Sequence, residues 1–288
     1  LMMKFFVLIQ ILIIRNQIKI YRSTSRPHSL ETCEHMKKTT TNIVVLIGII
    51  LTVHLLYTMW IIPEVNHLQI MAKSTGDLLP RNFFIIVKDI EQEIAIILFL
   101  WGLYLTASKF YETSSRDYLF DVDLLKDIQN NENDTKNILN SIDALPQEIR
   151  SAPLVQTIAS SLRRYMITGS VQNASESISP ALEAMAVKNE AELAVIKYIV
   201  WAIPSIGFLG TVRGIGMAMS QAQNAVAGDI GPMTESLGTA FNSTFVALLA
   251  SVVIMLLLSF LQKTQDEQLV KVQEYCEKYL IERISISK

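Results

Sequence analysis

AIPSIGFLGTVRGIGMAMSQ, residues 202–221, is followed after a short polar loop by SLGTAFNSTFVALLASVVIMLLLSF, residues 236–260. Seven of the eleven glycines in the chain fall between Gly207 and Gly238, inside and between these two long apolar segments. Glycine costs roughly 1 kcal/mol per helix-interior position relative to alanine. In membrane helices it is found where backbones approach closely or polar groups must be exposed. The two segments therefore read as adjacent membrane helices sharing a tightly packed, partly polar surface.

Composition agrees. Half of the 288 residues are hydrophobic and 18% are charged, and the mean hydropathy is +0.33. That combination describes an integral membrane protein. A span needs about 20 apolar residues to cross the hydrocarbon core. Ile43–Ile62, Ala194–Ser220 and Leu237–Leu261 satisfy this. Ile94–Ala107 is strictly apolar for only 14 residues. It reaches membrane thickness by starting near Ile90, with Glu91 and Glu93 at the interface.

Charge fixes the expected topology. Arg22, Arg26, Lys37 and Lys38 precede the first span, residues 108–193 carry eight Lys/Arg, and the loop 221–235 carries none. Lys263, Lys271, Lys278, Arg283 and Lys288 follow the last span. By the positive-inside rule these signs fit four spans with both termini cytoplasmic. The expected class is an all-α polytopic protein with a helical cytoplasmic region over 108–193 and a helical tail over 263–288. The hairpins would occupy 36–107 and 194–262. The apolar run Phe5–Ile14 is too short to span, so residues 1–35 read as an upstream extension without function. A net charge of −2 offers nothing to nucleic acid, and Cys33 and Cys276, both on the expected cytoplasmic side, read as free thiols.

Within the cytoplasmic region, Leu154–Ile167 and Val171–Lys188 carry helical periodicity, and Ser179-Pro180 is expected to start the helix that continues through Glu190 into the third span. Breaks are expected at Asn130–Asp134 and Asp143–Pro146. Leu269, Val272, Tyr275, Cys276 and Tyr279 form one stripe on the tail helix.

At 100° per residue, Gly207, Thr211, Gly214 and Ala218 share one side of the third span, with Gly210 at its edge. Ser236, Ala240, Thr244, Ala247 and Ser251 form a comparable stripe on the fourth. Each stripe exposes one threonine hydroxyl that hydrocarbon cannot satisfy. Two readings stand. Either each threonine bonds its own i−4 carbonyl in ordinary helix packing, or the stripes line a polar pathway. Pro204 removes one backbone hydrogen bond and loosens the helix near its cytoplasmic approach. Arg213 points away from Thr211 and reads as snorkelling, or as pairing with Glu235 or with an acid of another subunit. Neither of the last two spans has a carboxylate in its core, so a titrating group for ion passage would come from another polypeptide.

Enzymatic chemistry finds no support in the residue pattern. His28, His35, His54 and His67 have no Cys or carboxylate at metal-ligand spacing. Gly207–Gly216 imitates a phosphate loop by glycine count alone, without the following Lys-Ser/Thr. No cofactor is implied.

Pro204–Gly214, P-S-I-G-F-L-G-T-V-R-G, resembles the P-x-x-G-L-L-G-T-V-x-G signature of the MotA/TolQ/ExbB proton-channel family. Ala240–Ala250, A-F-N-S-T-F-V-A-L-L-A, is similar to that family's A-L-x-x-T-x-x-G-L-x-x-A segment. The resemblance covers about 70 residues, 194–262, and the four-span layout is like that of MotA. It implies a pore-ring subunit of an inner-membrane motor or energiser: five copies around two single-span partners of the MotB/TolR/ExbD type. The partner's aspartate would relay protons or sodium ions, with Thr211 and Thr244 in the slots of the pathway's polar residues and Pro204 in that of the third-span proline. Val246-Ala247 stands where the family usually has glycine. Residues 108–193 lack a clear match to the charged loop by which flagellar stators push a rotor. An energiser like TolQ/ExbB, or a motor of another system such as phage defence, therefore stands beside the flagellar reading. A non-conducting oligomeric scaffold or sensor is the alternative from outside the channel class.

Overall fold

The computed structural model describes residues 30–75, 82–120, 132–281 and 283. Residues 1–29 of the expected extension, and Asn130 and Asn131 of the first expected break, lie outside them. No strand occurs among the described residues. Four helical stretches are long and apolar enough to cross a membrane: Thr39–Ala72, Ile90–Phe120, Val171–Ser220 and Gly231–Ile281.

The first contains a wide π turn, Tyr57–Ile61, between helices Leu30–Leu56 and Ile62–Thr75. It falls just before Pro63, whose missing N–H and bulky ring disturb the preceding turn. The second span is a single helix, Ile90–Ser114. Gln92 Oε1 accepts the Asp89 backbone N–H at 2.7 Å at its start. Glu91 and Gln92 are buried inside the protein, so the helix begins ahead of the strictly apolar run and gains the length that the run lacks.

The third span, Ala194–Ser220, follows helix Ile178–Glu192 through a single transitional residue, Leu193. The fourth is one unbroken helix of 45 residues, Gly231–Tyr275. At 1.5 Å per residue it is about 68 Å long, roughly twice the hydrocarbon thickness of about 30 Å. Its C-terminal half must therefore leave the bilayer.

Two apolar cores result. In the membrane, Ala95 and Leu105 of the second span meet Leu193, Ile196, Ile199 and Ile203 at the third and Ala247, Ile254, Leu258 and Leu261 of the fourth. Beyond it, Leu154, Val155, Ile158 and Leu162 of helix Pro153–Thr168 pack with Ile138, Ile142, Ile178 and Leu182. Val272, Tyr275, Cys276 and Leu280 of the fourth helix close that second core. Gly169 ends helix Pro153–Thr168 at φ 62°, a left-handed conformation that glycine adopts without steric cost.

Two expectations need correction. The periodic stretch Val171–Lys188 is divided at Ser177, whose hydroxyl donates to Ala174 O at 2.6 Å, and the new helix starts at Ile178, one residue before the expected Ser179-Pro180. Tyr279 is not on the buried stripe, because a second π turn, Cys276–Ile281, shifts the periodicity and buries Leu280 instead.

Candidate functional site

The third and fourth spans meet in antiparallel register along their small-residue stripes. Gly207, Gly210, Gly214 and Ala218 are all buried against the fourth span's side, as are Ser236, Ala240, Ala247 and Ser251 on the facing helix. At Gly214 a Cβ would lie 2.7 Å from Ala240 Cβ and 2.8 Å from its Cα, so only glycine allows this approach. Polar bonds cross the same seam at both ends. Ser236 Oγ donates to Gln221 Oε1 at 3.0 Å, and Ser251 Oγ donates to Val200 O at 3.4 Å. Val200 lies four residues before Pro204, so this carbonyl is the one the proline leaves without its helical donor. The half-buried Pro204 is thereby accommodated inside a continuous helix.

Thr211 and Thr244 face each other at the middle of the seam, their hydroxyls in direct contact. Thr211 Oγ1 lies 3.1 Å from Ala240 O and 3.4 Å from its own i−4 carbonyl, Gly207 O. Thr244 Oγ1 donates across the interface to Gly207 O at 3.2 Å. Each hydroxyl has one hydrogen and two lone pairs. Its hydrogen is directed to protein oxygen, which leaves lone pairs as the remaining capacity of the pair.

Arg213 lies on the opposite face of the third span. Its guanidinium pairs with Glu91 Oε2 at 2.7 Å and with Asp89 Oδ1 at 3.4 Å. The expected pairing of Arg213 with Glu235 is not formed. Glu235 instead accepts from Lys88 Nζ at 2.7 Å and Gln69 Nε2 at 3.0 Å. The reason is geometric: the face of Arg213 that turns away from the fourth span meets the start of the second. Glu91 was read as an interfacial residue, yet it is 9% exposed.

The same end of the second span brings in Ser243, which sequence reasoning did not single out. Buried Ser243 receives a hydrogen bond from Gln92 Nε2 at 3.3 Å and donates to Thr239 O at 2.9 Å. The available signal was Gln92, an amide between Glu91 and Glu93 in the first turn of the second span. Glu91 itself reaches this seam: a Cβ at Gly210 would meet Ser243 Cβ at 2.5 Å and Glu91 Cγ at 3.3 Å.

A profile described as the MotA/TolQ/ExbB proton channel family matches residues 149–274. The match includes the helices that lead into the third span, the whole of both closing spans, and the extension of the fourth to within one residue of its end. It is wider than the two motifs alone, which lie within 194–262. No curated protein and no solved structure was found to match the chain. Residues 149–274, Thr211 and Thr244 among them, are thus similar to the MotA/TolQ/ExbB proton channel family.

Proposed function

We propose that the chain is the ring-forming subunit of an ion-driven motor or energy-transducing complex in a bacterial inner membrane. Five copies surround two single-span partners of the MotB/TolR/ExbD type, with both termini of this chain in the cytoplasm. The observation that carries the reading is the Thr211–Thr244 hydroxyl pair, set in a hairpin whose spans hold no core carboxylate. The pair offers lone pairs to a passing proton carrier or cation. The partner supplies the group that loads and unloads.

One observation favours the alternative of a non-conducting scaffold: both threonines already reach backbone carbonyls, as a purely structural seam would. Native mass spectrometry separates the two. The chain is co-expressed with a single-span protein that carries an intramembrane aspartate and is encoded beside it. Five copies with two of the partner are expected. A partner-free or differently counted oligomer leaves the hairpin without a titrating group and establishes the scaffold reading.

A further inference from the structure

Gln92 and Ser243 are each 1% exposed. Their hydrogen bond joins the first turn of the second span to the fourth span, one residue before Thr244. Its direction is fixed. Gln92 Oε1 accepts the Asp89 backbone N–H at 2.7 Å, which leaves Nε2 as the end that meets Ser243 Oγ at 3.3 Å. Ser243 gives its own hydrogen to Thr239 O. Both ends of the amide and the serine hydrogen are thereby used. A methionine or leucine would fill the same space without the cost of desolvating an amide. A buried amide held at both ends specifies one arrangement of the helices around it, where an apolar side chain would accept several.

The third span closes the junction. A Cβ at Gly210 would also meet Ser243 Oγ, at 2.7 Å, so the Gly210 backbone rests on that side chain. Glu91, beside Gln92, holds the third span through Arg213 at 2.7 Å. Consecutive residues of the second span therefore grip the two helices of the hairpin, Glu91 the third and Gln92 the fourth. Ser243 and Thr244 are adjacent and stand about 100° apart around their helix. Ser243 faces Gly210 and Gln92, while Thr244 faces Thr211 and Gly207 O. A roll of the fourth helix that swings Thr244 out of the seam turns Ser243 into the Gly210 backbone. The opposite roll draws Ser243 away from Gly210 and stretches a bond that has little slack at 3.3 Å.

We propose that Gln92, acting through Ser243, is a positioning residue that fixes the rotation of the fourth helix at which the Thr211 and Thr244 hydroxyls meet. Its importance for ion passage rests on the function proposed above. The rotational lock is a property of this chain by itself.

The test is disulfide trapping in the full chain, reconstituted in lipid vesicles, with Thr211→Cys and Thr244→Cys in a Cys33→Ser, Cys276→Ala background. Since the two hydroxyls are in contact, thiols in their places lie within reach of a disulfide. Copper phenanthroline should oxidise the pair, with the remaining thiols alkylated and counted by mass spectrometry. Gln92→Met keeps the volume and removes the amide. It should slow oxidation about fivefold, the factor for one lost hydrogen bond. Ser243→Ala should slow it equally, and the two together no further, because each removes the same bond. Gln268→Met separates positioning from general loosening. It deletes another buried amide between the same two helices, at the far end, where Gln268 Nε2 donates to Thr113 O at 3.2 Å, and it should leave the rate unchanged. A parent pair that does not oxidise, an unchanged rate in Gln92→Met, or equal slowing in Gln268→Met overturns the proposal. Should Gln92→Met fail to fold, Ser243→Ala against Gln268→Met decides. In vesicles of the assembled complex without the cysteine substitutions, Gln92→Met should lower proton flux about fivefold at an unchanged oligomer count. Flux that Gln92→Met leaves unaltered overturns the positioning role. Absence of flux in the parent strikes the proposed function alone, and the trapping rates then decide the lock.

Discussion

Replacing Gly214 with alanine tests whether the seam between the third and fourth spans is set by backbone contact. A Cβ at this position meets Ala240 Cβ and N at 2.7 Å, whereas ordinary contact begins near 3.4 Å. The obstacle is backbone, which cannot rotate aside, so the fourth helix must retreat by about 0.7 Å. That retreat stretches the Thr211–Ala240 O bond, now 3.1 Å, beyond hydrogen-bonding range. Overpacking costs about 1–3 kcal/mol, offset in part by the gain of up to about 1 kcal/mol for alanine over glycine in a helix. Gly216, two residues on, provides the control, because a Cβ there meets nothing within 4 Å. Gly216→Ala should therefore match or exceed the parent in stability. Reversible unfolding in mixed micelles, followed by far-UV circular dichroism, should place Gly214→Ala below Gly216→Ala by about 1–3 kcal/mol. Two variants within about 0.5 kcal/mol of each other would refute the argument, since an unconstrained surface position behaves in that way.

Thr244→Val keeps the shape and removes the hydroxyl; proton flux in vesicles carrying the assembled complex should be lost while the oligomer count is unchanged. Ser251→Ala should destabilise by about 1 kcal/mol in the parent and by less in a Pro204→Ala background, where Val200 O regains its helical donor; a double-mutant cycle in the same micelles measures the difference. Arg213→Gln should destabilise more than Arg213→Gln combined with Glu91→Gln, because the single change leaves a buried carboxylate unpaired. The gap should be about 1–2 kcal/mol, reduced from the fully buried case because Arg213 is 42% exposed. Cys276 is fully buried in the apolar core outside the bilayer, and burial pushes its thiol up to about 12. In a Cys33→Ser background, iodoacetamide at pH 8 should label it only after unfolding, as the thiolate is the reactive form.

The third and fourth spans were legible because the information lies within one hairpin. Spacings of three and four residues place Gly207, Thr211 and Gly214 on one side and Ala240, Thr244 and Ala247 on another, and a short loop forces the two helices together. Arg213 was not legible in the same way. Its partners, Asp89 and Glu91, stand more than 120 residues earlier, and no local periodicity ties them to it. Glu235 was nearer along the chain but projects toward Lys88. Acids at the start of a marginal span read naturally as interfacial. Only the packing of the second helix against the third shows Glu91 to be enclosed. Tyr279 failed for a different reason: a π turn adds a residue to the repeat, and a 3.6-residue pattern carried through it loses phase.

The fourth helix runs without interruption from Gly231 to Tyr275. Thr244 and Val272 sit 28 residues apart on it, about 42 Å at the helical rise. One side chain belongs to the membrane seam and the other to the core beyond the bilayer. The helix is thus a lever arm: a tilt of about 2° about the threonine pair carries Val272 sideways by about 1.5 Å. A close-packed core cannot absorb a displacement of that size without rearranging. Small changes in how the seam closes are consequently delivered, enlarged, to Tyr275, Leu280 and the helices they hold, with the rigidity of the rod in place of any hinge.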